Sequence, residues 1–261
     1  MTSIWVESVS VFGPGLLGWP HASEVLGDPR RYDPQKTPPI ESRFLSPNNR
    51  RRTSPHMQIA IQAADYALRD TGFDETSIDL ILTSSEEDLD IAEDDIQALV
   101  QPEKEISPQK FQNVILNAAA GHLGIFMKNT SGSTTVSGTG NCFSVGLLQA
   151  YTTILATKGR ALLVAYDAPS SMPYSEKDRP FFAVGMVLSH SHSPSILGEL
   201  SLTLGERKEL TVMEHPALET MRATTPSATG LPLLLVLAKK QAGVVELYYS
   251  KELSLTVALC F

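Results

Sequence analysis

Cysteine is nearly missing from this 261-residue chain: Cys142 and Cys260 are the two it has, and neither sits in a C-x-x-C or zinc-ligand spacing. Two thiols make no disulfide framework, so a small stapled scaffold is excluded and stability must come from apolar packing. Positive charge is short as well. Lys and Arg total 21 against 29 Asp and Glu, a formal net charge of −8, and only Arg50, Arg51 and Arg52 cluster. A nucleic-acid duplex needs clustered cations against its phosphates, so that class of partner is set aside. No apolar run of about eighteen residues occurs, which excludes a membrane-spanning helix. The opening residues have neither the basic segment nor the long apolar one of a secretory leader, so a cytoplasmic location is expected.

What is present is ordinary for a globular protein: 42% hydrophobic and 19% charged residues, with no low-complexity tract. One domain over 1–261 is expected, with a core over 1–230 closed by a helix and strands over 231–261. Ile4 to Phe12 reads as a strand running into the turn Gly13-Pro14-Gly15. Residues 18 to 53, rich in Pro, Arg and Asp, show no helical period and read as a long surface excursion. A helix follows: Ser54 caps, Pro55 suits the first helical position, and Met57, Ala60, Ile61, Ala64, Tyr66 and Leu68 line one side before Gly72. Ile78 to Ser84 reads as a buried strand. Glu86 to Val100, with Glu87, Asp88, Asp90, Glu93, Asp94 and Asp95, lacks the glycine and ligand spacing of a calcium loop and reads as a solvated acidic helix.

Phe111 to Lys128 reads as one helix with small residues along one side, which lets another backbone approach. Thr134 to Ser137 and Ala161 to Tyr166 read as strands around an apolar helix, Ser144 to Thr157. Ala183 to Ser189 and Ser195 to Leu204 are two further strands, and the tail adds a helix and the strands Val244–Tyr249 and Leu253–Leu259. Strand and helix alternate, which indicates α/β layers.

Between Ser137 and Ser144 lies the turn Gly138-Thr139-Gly140-Asn141-Cys142-Phe143. A strand, a sharp turn and an apolar helix make an elbow that lifts one side chain to a helix N-terminus, where N–H groups and the helix dipole favour an anion. Such a turn suits acyl transfer, but the G-x-S-x-G of serine hydrolases is absent. His190 and His192 have no third ligand nearby and read as surface residues. Lys239 and Lys240 fall on the polar side of the tail helix. The Gly13-x-Gly15 pair lacks the remainder of a dinucleotide fingerprint. No metal and no cofactor are expected.

Three segments around the elbow, Asn117-Ala118-Ala119-Ala120-Gly121-His122-Leu123, Thr135-Val136-Ser137, and Asp178-Arg179-Pro180-Phe181-Phe182-Ala183-Val184-Gly185, resemble in order and spacing the N-terminal half of β-ketoacyl-acyl-carrier-protein synthases. The resemblance implies a thiolase-like fold, an α/β/α layering around a mixed sheet. In that family the elbow carries a nucleophilic cysteine. Counting forward from Ala120 puts Gly140 in its slot, counting back from Gly146 puts Phe143 there, and Cys142 falls between. The helix register after the elbow favours Phe143. The family's H-G-T-G and F-G-G histidine motifs do not occur, and His21, His56, His122, His190, His192 and His215 lie in other contexts.

Asn117 to Gly121, the degenerate elbow and Val164-Ala165-Tyr166-Asp167 are similar to the truncated ketosynthase-like subunits that accompany true ketosynthases in aryl polyene pathways, comparable in role to chain-length factors. The resemblance implies a non-catalytic subunit, poorly soluble or aggregating when produced alone, and joined in a heterodimer to a catalytic ketosynthase that supplies cysteine and histidines. That partner would condense acyl and malonyl thioesters borne by acyl carrier protein. The same resemblance implies that Asn113, Val114, Asn117, Ile125, Phe126 and Met127 shape the far end of the acyl tunnel. Two alternatives stand beside it: an active condensing enzyme or acyltransferase using Cys142, and a carrier-protein docking subunit.

Overall fold

The computed structural model describes residues 2–69, 71–86, 88–170, 179–192 and 196–261. Glu87, Asp178 and Ser195, named above, lie outside them. In chain order the elements are β1 (Ile4–Gly13), β2 (Leu16–Leu17), α1 (Trp19–Gly27), α2 (Pro47–Arg52), α3 (Pro55–Leu68), β3 (Asp79–Ser84), α4 (Leu89–Val100), α5 (Pro108–Phe111), α6 (Ala118–Met127), β4 (Ser133–Ser137), α7 (Cys142–Thr157), β5 (Arg160–Asp167), β6 (Phe182–Ser189), β7 (Gly198–Glu206), α8 (Pro216–Thr224), α9 (Leu231–Lys239), β8 (Gly243–Tyr248) and β9 (Leu253–Cys260).

The strands form a single mixed sheet in the order β4-β3-β5-β6-β1-β7-β9-β8, with β2 beside β1. β3 pairs in parallel with both β4 and β5, and the remaining pairs are antiparallel. The apolar run of β5 is explained by burial on both faces. Ala161, Leu163 and Ala165 join one core with α1, α7, α8 and α9, while Leu162, Val164 and Tyr166 join a second with α3 and α6. The α/β/α layering expected from the sequence is the observed one. Beyond β1 the strands alternate, with Leu200, Leu202 and Val257 facing the first core and Ser201, Thr203, Thr256 and Ala258 turned the other way at partly exposed or exposed positions.

The start of α3 matches its sequence signal: the Ser54 hydroxyl accepts the Met57 N–H at 3.3 Å, and Pro55 occupies the first turn. Two expectations are corrected. Residues 18 to 53 are more than a surface excursion, because α1 buries Ala22, Val25 and Leu26 in the first core and α2 precedes α3. The helix expected over 111–128 exists only from Ala118. Residues 112–117 form turns because Asn113 is drawn out of helical register, donating to the Arg52 carbonyl at 2.9 Å and bonding His122 Nε2 through Oδ1 at 2.9 Å. The acidic stretch does form an exposed helix, α4, in which only Asp95 is buried.

The two ends of the sheet differ. At β8 the loop before α8 closes the outer edge: the Thr211 N–H donates to the Glu246 carbonyl at 3.0 Å, and the Glu246 N–H to Thr211 Oγ1 at 2.9 Å. At β4 no described strand lies beyond the edge. Next to it, α6 exposes Gly121 and Ile125, the latter 72% accessible.

Candidate active site

The elbow is built as its sequence suggests. β4 ends at Ser137, Gly140 turns the chain with φ +79°, Asn141 caps with no side-chain bond to the first turn of the helix, and α7 begins at Cys142. The first turn of α7 lies tight on the sheet, and Thr83 Oγ1 donates to the Cys142 carbonyl at 2.9 Å. Gly146 permits this approach, since a Cβ there would meet Thr83 Cγ2 at 2.5 Å.

Of the three residues that the sequence brings to the slot, Gly140 is partly exposed, while Cys142 and Phe143 are fully buried. Phe143 belongs to the first core, with its ring tip against Gly230. Cys142 directs Sγ at Asp167 Oδ2, 3.8 Å away. Burial pushes this thiol well above its usual pKa, and the neighbouring Asp167 charge adds to the effect. A helix N-terminus ordinarily favours the thiolate; here desolvation and the carboxylate act in the opposite direction.

Asp167 is the hub of the site. It closes the apolar strand β5 and is 1% exposed. A buried carboxylate is costly unless bonded, and this one is well supplied. Oδ1 accepts the Ser85 N–H at 3.0 Å and the Ser85 hydroxyl at 2.6 Å; Oδ2 accepts the Ser227 N–H at 2.7 Å. Arg179 lies alongside, with Nη1 at 3.0 Å from Ser85 Oγ, 3.1 Å from Glu86 Oε2 and 3.9 Å from Asp167 Oδ1. His56, in the first turn of α3, contacts Ser84 Oγ at 3.4 Å and packs edge-on to Tyr166 at 4.9 Å. Burial lowers its pKa, opposed by the charges of Asp88, Asp167 and Glu86. None of Asp167, Arg179 and His56 was singled out as a site residue from the sequence. The available signal was a charge closing a continuous apolar strand.

Outside this cluster opens a cleft of about 630 Å³, bordered by the starts of α3 and α4 and by Asn113, Ala168 and Pro169. It lies beyond the carboxyl ends of β3 and β5, where open α/β sheets bind ligands. The expected tunnel residues are distributed around the molecule. Asn113 borders the cleft, with Val114 half-buried after it. Asn117 and Ile125 line a groove of about 470 Å³ between α6 and β4. Ile125 and Phe126 line another, of about 420 Å³, toward α5. Met127 packs into the second core. His192 stacks edge-on against Trp5 at 4.9 Å. The described residues contain no group of three or more His, Cys, Asp or Glu able to hold a metal, and no described helix is long and apolar enough to cross a membrane.

Residues 26–247 match the family described as "Beta-ketoacyl synthase, N-terminal domain". No curated protein matches the sequence. Among solved structures, a chain from the complex of the ketosynthase ApeO with its chain length factor ApeC, from Xenorhabdus doucetiae, is similar with a TM-score of 0.73 and 20% identity; the match covers 99% of this chain and 100% of that one. A chain from the AntDE:AntF complex, a type II polyketide synthase acyl-carrier protein with its ketosynthase, gives 0.74 at 13% identity and 99% coverage of both. A chain from the ishigamide ketosynthase/chain length factor gives 0.70 at 13% identity, again covering 99% of both. At these identities the likeness is one of fold.

Proposed function

The chain belongs to the β-ketoacyl synthase N-terminal domain family, and from that premise we propose that it is a non-catalytic, chain-length-factor-like subunit of a β-ketoacyl-carrier-protein synthase. One observation supports the reading: Phe143, which the register of the following helix puts in the slot, is fully buried, and the buried Cys142 beside it faces Asp167 at 3.8 Å. A condensing enzyme needs an accessible thiolate at that place. The partner, a catalytic ketosynthase, supplies the cysteine and the histidines, takes acyl and malonyl units from acyl carrier protein, and elongates a polyene chain of the aryl polyene kind. The motif resemblance at Asn117–Gly121 and Val164–Asp167 supports that substrate class.

The partner docks along β4 and α6. Free strand edges pair readily, Gly121 and Gly124 let a second backbone approach the groove, and Ile125 offers exposed apolar surface. The closed edge at β8 supports β4 as the docking end of the sheet. The run Arg50–Arg52, the one dense basic segment of an acidic chain, with Arg51 and Arg52 exposed, suits an acidic carrier protein.

Co-expression with candidate ketosynthases followed by a condensation assay tests this. Expected are co-purification, condensation only when both chains are present, and full activity of the complex carrying Cys142→Ala. Condensation unaffected by omitting this chain, or abolished by Cys142→Ala, overturns the reading.

A further inference from the structure

What covers the elbow comes from the chain itself. Pro226–Gly230 form a 3₁₀ turn in which every residue is buried. Connecting segments normally run over the surface, because buried backbone groups must find partners. This turn finds one at the hub, where the Ser227 N–H donates to Asp167 Oδ2 at 2.7 Å. At its far end Gly230 sits so close to Phe143 that an added Cβ would lie 2.5 Å from the ring Cζ. The hairpin between β8 and β9 adds a second strap, with Asn141 Nδ2 donating to the Tyr249 carbonyl at 2.5 Å. Cys142 and Phe143, beside these two segments, have no contact with solvent.

We propose that the 226–230 turn is a resident plug, occupying the space in front of the elbow that an acyl thioester requires, so that this chain accepts no acyl group whichever residue stands at position 143. An entering acyl group must displace the turn, break the Ser227–Asp167 bond and leave a buried carboxylate short of a donor, which is unfavourable. The sealing is therefore by main chain and outlasts any exchange of the slot side chain. The inference takes from the proposed function only the position of the slot.

The test places a single thiol in the slot of the full chain, Phe143→Cys with Cys142→Ala and Cys260→Ser, and compares its modification by N-ethylmaleimide with that of the exposed Cys260 in a Cys142→Ala chain, each alone and with co-expressed ketosynthase. The expected result is modification at least about 100-fold slower than at Cys260, as for groups reached only by local opening, with equal rates in urea. A rate within about tenfold of Cys260 in the folded chain overturns the plug. Because Phe143→Cys removes a core ring, hydrogen exchange on the unsubstituted chain provides an independent arm. The Ser227 amide is expected to be protected to the same degree as the amides of β5. Exchange as fast as that of exposed loops overturns the proposal. A reactive slot thiol in a chain that still co-purifies with a ketosynthase removes the plug and leaves the partnership standing; an unreactive one in a chain that binds no ketosynthase does the reverse.

Discussion

Gly230→Ala is the sharpest perturbation available at the elbow. The added Cβ would lie 2.5 to 2.6 Å from three atoms of the Phe143 ring, close to an ångström inside ordinary contact. The ring cannot retreat easily, since it is fully buried and part of the core around α7. Overpacking of this kind costs about 1–3 kcal/mol, or a fall in Tm of about 2–4 °C per kcal/mol for a chain approaching this size. Phe143→Ala alone opens a cavity and costs about 3–5 kcal/mol. Combined, the two changes compensate, because the new methyl enters space the ring has vacated. The double variant is expected to cost about 1–3 kcal/mol less than the sum of the singles, a coupling of the size seen for residues in direct contact. Urea titration of the full chain, co-purified with its partner where solubility requires it, measures all four corners through shifts in midpoint at constant m. Additivity within about 0.5 kcal/mol, or a neutral Gly230→Ala, refutes the packing of the 226–230 turn on the elbow.

Burial raises the Cys142 pKa, so the folded chain keeps a proton that the unfolded chain loses near pH ~8.5. Its stabilising contribution is complete below that pH and is lost as pH rises above it, and Cys142→Ala should flatten this alkaline decline in unfolding experiments. The opposite sign holds for His56, whose pKa is lowered by burial. Its contribution is present above pH ~6.5 and is lost as pH falls below, and His56→Gln should reduce the acid sensitivity seen in thermal melts across pH 5 to 7. Ile125→Asp, at a 72% exposed position beside the β4 edge, is expected to abolish ketosynthase co-purification with stability changed by less than ~0.5 kcal/mol. Val244→Asp, 65% exposed on β8, should leave the complex intact in the same pull-down. Phe126→Ala should lengthen and Phe126→Trp shorten the acyl product read by mass spectrometry of the complex; unchanged products from both remove Phe126 from the tunnel.

Much of the sheet was legible because its signals are local. β5 and β6 read as strands from continuous apolar runs, and α3 from a serine cap followed by proline at the first position. The elbow read from a β-branched strand, two glycines and an apolar helix. Where local signal was weak, the reading failed. α1 is short, begins with Trp19-Pro20 and lacks a clean helical period, so its burial against α9 was invisible. The segment from Phe111 to Asn117 contains helix-compatible residues, but Asn113 spends its side chain on Arg52, 61 positions earlier, and on His122, and these bonds hold a turn where periodicity suggested helix.

The sequence by itself determined the family, the α/β layering and the position of the strand–turn–helix unit from Ser133 to Thr157, since each depends on residue types at short spacing along one chain. Tertiary structure alone decided the state of that elbow. Asp167 meets Ser85 and Ser227, and Phe143 meets Gly230, across separations of 60 residues or more. Burial and hydrogen bonding at such range depend on how layers stack around the sheet, and no local pattern records them.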